Sequence, residues 1–75
     1  MGIIENNFMY DRERIGQRIK EIRTKKGITQ QHITELTGLK QQHIVRIEKG
    51  MYSTGIDILS KIADALDCRI NVVNV

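Results

Sequence analysis

Residues 29–50 read TQQHITELTGLKQQHIVRIEKG, and their pattern is that of two short helices broken at Thr37-Gly38-Leu39. Ile28 and Ile33 bracket the start of the first helix at hydrophobic-staple spacing, with Thr29 between them as the N-cap. Leu39 and Ile44 repeat that spacing at the start of the second. Within the second helix, Ile44 and Ile47 point one way. Gln41, Gln42, Val45, Arg46 and Lys49 point the other, because positions i, i+1, i+4, i+5 and i+8 share a helix face. An exposed face with two glutamines and an arginine carries the chemistry that base edges in a DNA major groove accept. Glutamine pairs bidentately with adenine and arginine with guanine, while a valine can meet a thymine methyl.

The flanking residues extend this pattern in both directions. Upstream, helix 1 is expected to start at Asp11 as N-cap, with Ile15, Ile19 and Ile22 as its inward stripe. Gly27 is expected to stop it, with Arg23, Lys25 and Lys26 near its negative end. Downstream, Gly55 or Thr54 is expected to cap a fourth helix. Its apolar stripe reads Ile56, Leu59, Ala63 and Leu66, widened by Ile62. Asp67 stands after it. The glycines read as helix and turn punctuation.

Taken in order, IGQRIKEIR, Gly27, ITQ, Gly38, IVRIEKG and ILSKIADAL resemble the helix-turn-helix of the Cro and phage-repressor family, also called the XRE family. The resemblance covers Ile15 to about Leu66. It implies an all-α domain of four to five helices, of the lambda-repressor type. It also implies an ion pair between Arg23 and Glu48, and a phosphate contact by Gln30 at the start of helix 2, which the helix dipole supports. Lys40 stands where that family usually has Ser or Thr, at the N-cap of helix 3. The family often has Gly where Asp67 follows the fourth helix, and Asp adopts the left-handed conformation less readily but acceptably. The candidate base-reading residues are therefore Gln41, Gln42, Val45 and Arg46. The candidate phosphate-binding residues are Thr29, Gln30, Lys40, His43, Lys49, Tyr52 and Ser53.

The C-terminal end departs from the family pattern. Cys68 to Val75 includes RINVVNV, which is β-branched and has no helical stripe, so it reads as a short β-strand. A lone strand needs a partner for its backbone groups. Either Ile3 and Ile4 pair with it, or the same strand of another copy does. The second arrangement resembles HipB-type antitoxins and assigns dimerisation to Arg69, Ile70, Asn71, Val72, Val73, Asn74 and Val75. The expected organisation is an N-terminal arm over 1–10, a helix-turn-helix domain over 11–67 with its core motif at 29–48, and a dimerising strand over 68–75.

Composition bounds the remaining possibilities. Seventy-five residues with 40% hydrophobic content, one Phe and no Trp make one small domain with an Ile, Leu and Val core. The net charge is +3, but Arg12 to Lys26 alone carries seven basic residues against Glu13 and Glu21. That concentration suits a polyanion, although a solvated amphipathic helix shows the same run. Cys68 is the single cysteine, so no internal disulfide or cysteine-based zinc site is expected. His32 and His43 lie on different helices and read as surface or DNA-facing side chains. No catalytic arrangement, metal site or cofactor is expected. No membrane span or signal peptide is visible, and a cytoplasmic location is expected. The expected partners are double-stranded DNA and a second copy of the chain, with transcriptional repression as the outcome. The alternative is an antitoxin whose main partner is a protein toxin, with DNA binding serving autoregulation.

Overall fold

A computed structural model describes residues 11–51 and 54–70. The expected arm over 1–10 lies outside the described residues. So do Tyr52, Ser53 and the segment Asn71 to Val75, which carries most of the expected strand. Among the described residues the architecture is all-α, with four helices: α1 (Asp11–Lys25), α2 (Gln30–Thr37), α3 (Gln41–Glu48) and α4 (Ile56–Ala65). Arg69 and Ile70 are described and have no regular secondary structure.

Local chemistry fixes where each helix begins. Asp11 is the first residue of α1 rather than its cap, and with Glu13 it places acid at the positive helix end. Thr29 caps α2 from an extended backbone, its Oγ1 accepting from the His32 N–H at 3.0 Å. Lys40 occupies the N-cap of α3 with φ −71° and ψ 144°, and its side chain makes no capping hydrogen bond. Gly55 precedes α4 in the same extended geometry.

Three helix ends close in the same way. After α1, the Gly27 N–H reaches Thr24 O at 3.0 Å and the Ile28 N–H reaches Arg23 O at 2.9 Å. After α3, Gly50 reaches Ile47 O and Met51 reaches Arg46 O, both at 3.0 Å. After α4, Asp67 reaches Asp64 O at 3.0 Å and Cys68 reaches Ala63 O at 2.8 Å. These paired bonds are Schellman motifs, which require a left-handed residue at the turn. Gly27, Gly50 and Asp67 supply it, with φ of 71°, 72° and 57°. Two cations then cover exposed carbonyl ends. Arg12 Nε donates to Gly50 O at 3.0 Å, and Lys26 Nζ donates to Leu66 O.

Ile33, Ile44, Ile47, Ile62 and Leu66 form the buried core, with Ile19, Ile22, Ile28, Leu39, Ile58, Ala65 and Cys68 packed around it. The α3 helix packs on α1 and α2, and α2 also packs on α4. Two expected stripes are rotated relative to this arrangement. Ile15 is 40% exposed, because the face of α1 that meets α3 passes through the buried Gly16 and through Ile19 and Arg23. Ile56 is 61% exposed, because it is the first residue of α4 and the inward face runs Ile58, Ile62, Ala65 and Leu66.

Gly16 is not punctuation. A Cβ built there would lie 2.2 Å from Ile47 O and 2.8 Å from Glu48 O. The backbone of α1 therefore touches the C-terminal turn of α3 directly. That contact sets the crossing of the first helix over the third.

Candidate nucleic-acid interface

The α3 helix divides cleanly into two faces. Ile44 and Ile47 are buried, whereas Gln41, Gln42, Arg46 and Lys49 are exposed and Val45 and His43 are half-buried. Burying two isoleucines on one side of an eight-residue helix leaves its other side no choice but to face outward. The exposed side chains do not form one row. Gln42, Arg46, His43 and Lys40 line a shallow depression of their own. Gln41 turns instead toward α2, where it shares an open cleft with Thr29, Gln30, Gln31 and Lys20.

That second cleft sits at the N-terminus of α2, where backbone N–H groups without intrahelical partners and the helix dipole favour an anion. Thr29 already uses its hydroxyl oxygen as an acceptor for the His32 N–H, but its hydroxyl hydrogen is still a donor. Lys20 and Gln31 belong to this cleft and were not singled out from the sequence. Gln31 is the second residue of α2 and could have been found from its place beside Gln30. Lys20 could not, because only the packing of α3 against both α1 and α2 brings it there.

Arg23, which also lines the cleft, pairs with Glu48 beneath it. Arg23 Nε is 2.7 Å from Glu48 Oε2 and Arg23 Nη2 is 3.0 Å from Glu48 Oε1. The two side chains are only 11% and 3% exposed. Two parallel charge-assisted bonds between a guanidinium and a carboxylate are the strong, directional form of such a contact. Arg23 Nη1 also donates to Ile28 O at 2.9 Å, so one side chain ties the end of α1, the loop before α2 and the end of α3 together. Gln30 Nε2 joins the same group, donating to Glu48 Oε1 at 3.1 Å.

His32 lies on the outer face of α2, with Nδ1 3.6 Å from Glu35 Oε1. Among the described residues, no group of three or more His, Cys, Asp or Glu side chains is placed to hold a metal ion. No helix among them is long and apolar enough to cross a membrane. Of the other expected site residues, Tyr52 and Ser53 lie outside the described residues.

The family model described as "Helix-turn-helix" matches residues 19–73. The chain belongs to the Cro and phage-repressor helix-turn-helix family. A helix-turn-helix transcriptional regulator of Archaeoglobus fulgidus is 38% identical over 53 residues, which are 71% of this chain and 76% of that protein. The immunity repressor protein of Bacillus phage phi105 is 30% identical over 59 residues; the match takes in 79% of this chain but 41% of the repressor. Among solved structures, the restriction-modification controller protein C.AhdI from Aeromonas hydrophila superposes with a TM-score of 0.75 at 34% identity. That match covers 79% of this chain and 89% of the controller protein. The helix-turn-helix family is one of transcriptional regulators and not a class of enzyme.

Proposed function

We propose that this helix-turn-helix chain is a sequence-specific double-stranded DNA-binding regulator, a repressor that acts as a homodimer through α3. The observation that carries the reading is the outward face of α3. It presents Gln41, Gln42 and Arg46 on a helix whose opposite face is locked into the core by Ile44 and Ile47. Glutamine and arginine are the side chains that read adenine and guanine in the major groove, and a rigidly seated helix holds them in register with the bases.

The surrounding donors serve the phosphate backbone in this reading. Gln30 and Thr29 act from the start of α2, Lys40 and His43 from the first turn of α3, and Lys49 with Tyr52 and Ser53 from the far end. Repression follows from occlusion of a promoter by the bound dimer. A relative named as a phage immunity repressor is consistent with this role. The antitoxin reading uses the same DNA contacts and adds a protein partner. A small toxin-like reading frame beside the gene would favour it.

Selection of bound sites from random duplex DNA by the purified protein tests the proposal. The expected result is a two-fold symmetric motif whose half-sites are about one helical turn apart, roughly 34 Å. A pool that returns without enrichment would overturn the base-reading role of α3.

A further inference from the structure

The Gln30 amide makes a bond that a plain phosphate-contacting side chain does not need. Its Nε2 donates to Glu48 Oε1 at 3.1 Å, and the same oxygen accepts from Arg23 Nη2 at 3.0 Å. Glu48 stands at the last position of α3 and is buried, with 3% of its side chain exposed. Because a carboxylate only accepts hydrogen bonds, Glu48 dictates which end of the amide it meets: the nitrogen, not the oxygen. An amide nitrogen has two hydrogens about 120° apart in one plane. Fixing the first therefore fixes the second, and Gln30 lines the open cleft beside Lys20, Gln31 and Gln41.

We propose that Glu48 is a positioning residue for DNA backbone binding: it orients the Gln30 amide so that the second Nε2 hydrogen is aimed at a phosphate. The inference rests on the DNA-binding reading above and adds a role for Glu48 beyond its pairing with Arg23. Arg23 makes the arrangement workable. Without the guanidinium, a buried carboxylate beneath the cleft would repel the phosphate that Gln30 is set to receive. With it, the carboxylate is compensated and its remaining accepting capacity goes to Gln30. A donor held in its binding geometry loses less rotamer freedom when the ligand arrives.

A double-mutant cycle tests this. Gln30→Met keeps the length of the side chain and removes its donors. It should raise Kd by roughly three- to tenfold on every sequence, the range for one lost hydrogen bond. The salt slope should stay unchanged, since a neutral amide releases no counterion. Glu48→Gln should raise Kd in the parent chain and leave it unchanged when Gln30→Met is already present. Additive effects would mean that Glu48 acts on α3 as a whole, and the positioning role would fall while DNA binding stood. An unchanged Kd in Gln30→Met would also overturn it. Binding is measured well below the melting temperature of each variant. If Glu48→Gln does not fold, the parent protein supplies the deciding measurement. Side-chain amide NMR of Gln30 in the free chain should show a rigid NH2 group with one proton protected by Glu48, and the other should shift on adding operator duplex. A freely rotating amide would sink the proposal. A parent chain that selects no DNA site would instead remove the reading on which it rests.

Discussion

Lys40 breaks a local rule at the start of the candidate reading helix. It holds the N-cap backbone geometry of α3 and offers no acceptor to the free N–H groups behind it. A missing cap costs about 1 kcal/mol, and a cation near the positive helix end adds roughly 0.3–1 kcal/mol. A DNA phosphate would reverse the sign of the charge effect. Lys40→Ser is therefore expected to raise the melting temperature of the free chain and weaken DNA binding at low salt, lowering the salt slope by about one phosphate contact. Thermal melts and a salt titration check both halves. Asp67 is a second such residue. It adopts φ 57°, and its charge lies near the negative end of α4. Asp67→Gly removes the backbone strain as well as the charge and should stabilise by about 0.5–1 kcal/mol; Asp67→Asn should recover only part of that. Gly16 works in the opposite sense. Alanine is ordinarily the better helix former, by about 1 kcal/mol. Here its Cβ would collide with the backbone carbonyls of Ile47 and Glu48, so Gly16→Ala should destabilise by about 1–3 kcal/mol in denaturant unfolding.

The helices show what a sequence can and cannot disclose. The limits of α2 and α3 were legible because Thr29, Gly38 and the paired staples are local signals, whereas the left-handed turn at Asp67 followed from the family resemblance. The division of α3 followed from periodicity alone, since two buried isoleucines determine the opposite face. The rotation of α1 was not legible. Ile15, Ile19 and Ile22 make a tidy stripe, but the contact with α3 is made by backbone at Gly16, which carries no hydropathy signal. Nor was the bond from Gln30 to Glu48, which joins residues 18 positions apart and depends on how α2 meets the end of α3. For α3 as a reader, Gln41→Ala, Gln42→Ala and Arg46→Ala should each cost about 1–3 kcal/mol on the selected site and relax preference at one base pair. Lys49→Ala should weaken all sequences alike and reduce the salt slope by about one unit. Competition binding with single-base site variants separates the two behaviours. If Arg46→Ala binds the selected site unchanged, the assignment of α3 fails.

At the scale of the whole molecule, the proposed homodimer has a geometric requirement. Half-sites about 34 Å apart place each reading helix about 17 Å from the two-fold axis. The described residues span 37 × 23 × 22 Å, so two copies touching near the axis meet that spacing. Pairing of the C-terminal segments about Val72 is the proposed contact, with Arg69 opposite Val75. A chain ending at Ile70 tests it while keeping the Cys68 N–H on Ala63 O. Sedimentation should show a monomer; a tight dimer would move the interface elsewhere. The direct contact at Gly16 has one more consequence. Two helices that meet through side chains can slide by a turn and repack, because many side chains fit many grooves. Two that meet through backbone have a single alignment. Moving α1 by one turn would bring Arg12, Ile19 or Lys20 to the place where only hydrogen fits. The charged outer surface of α1 is thus keyed to the outward face of α3, and whatever takes hold of one carries the other with it.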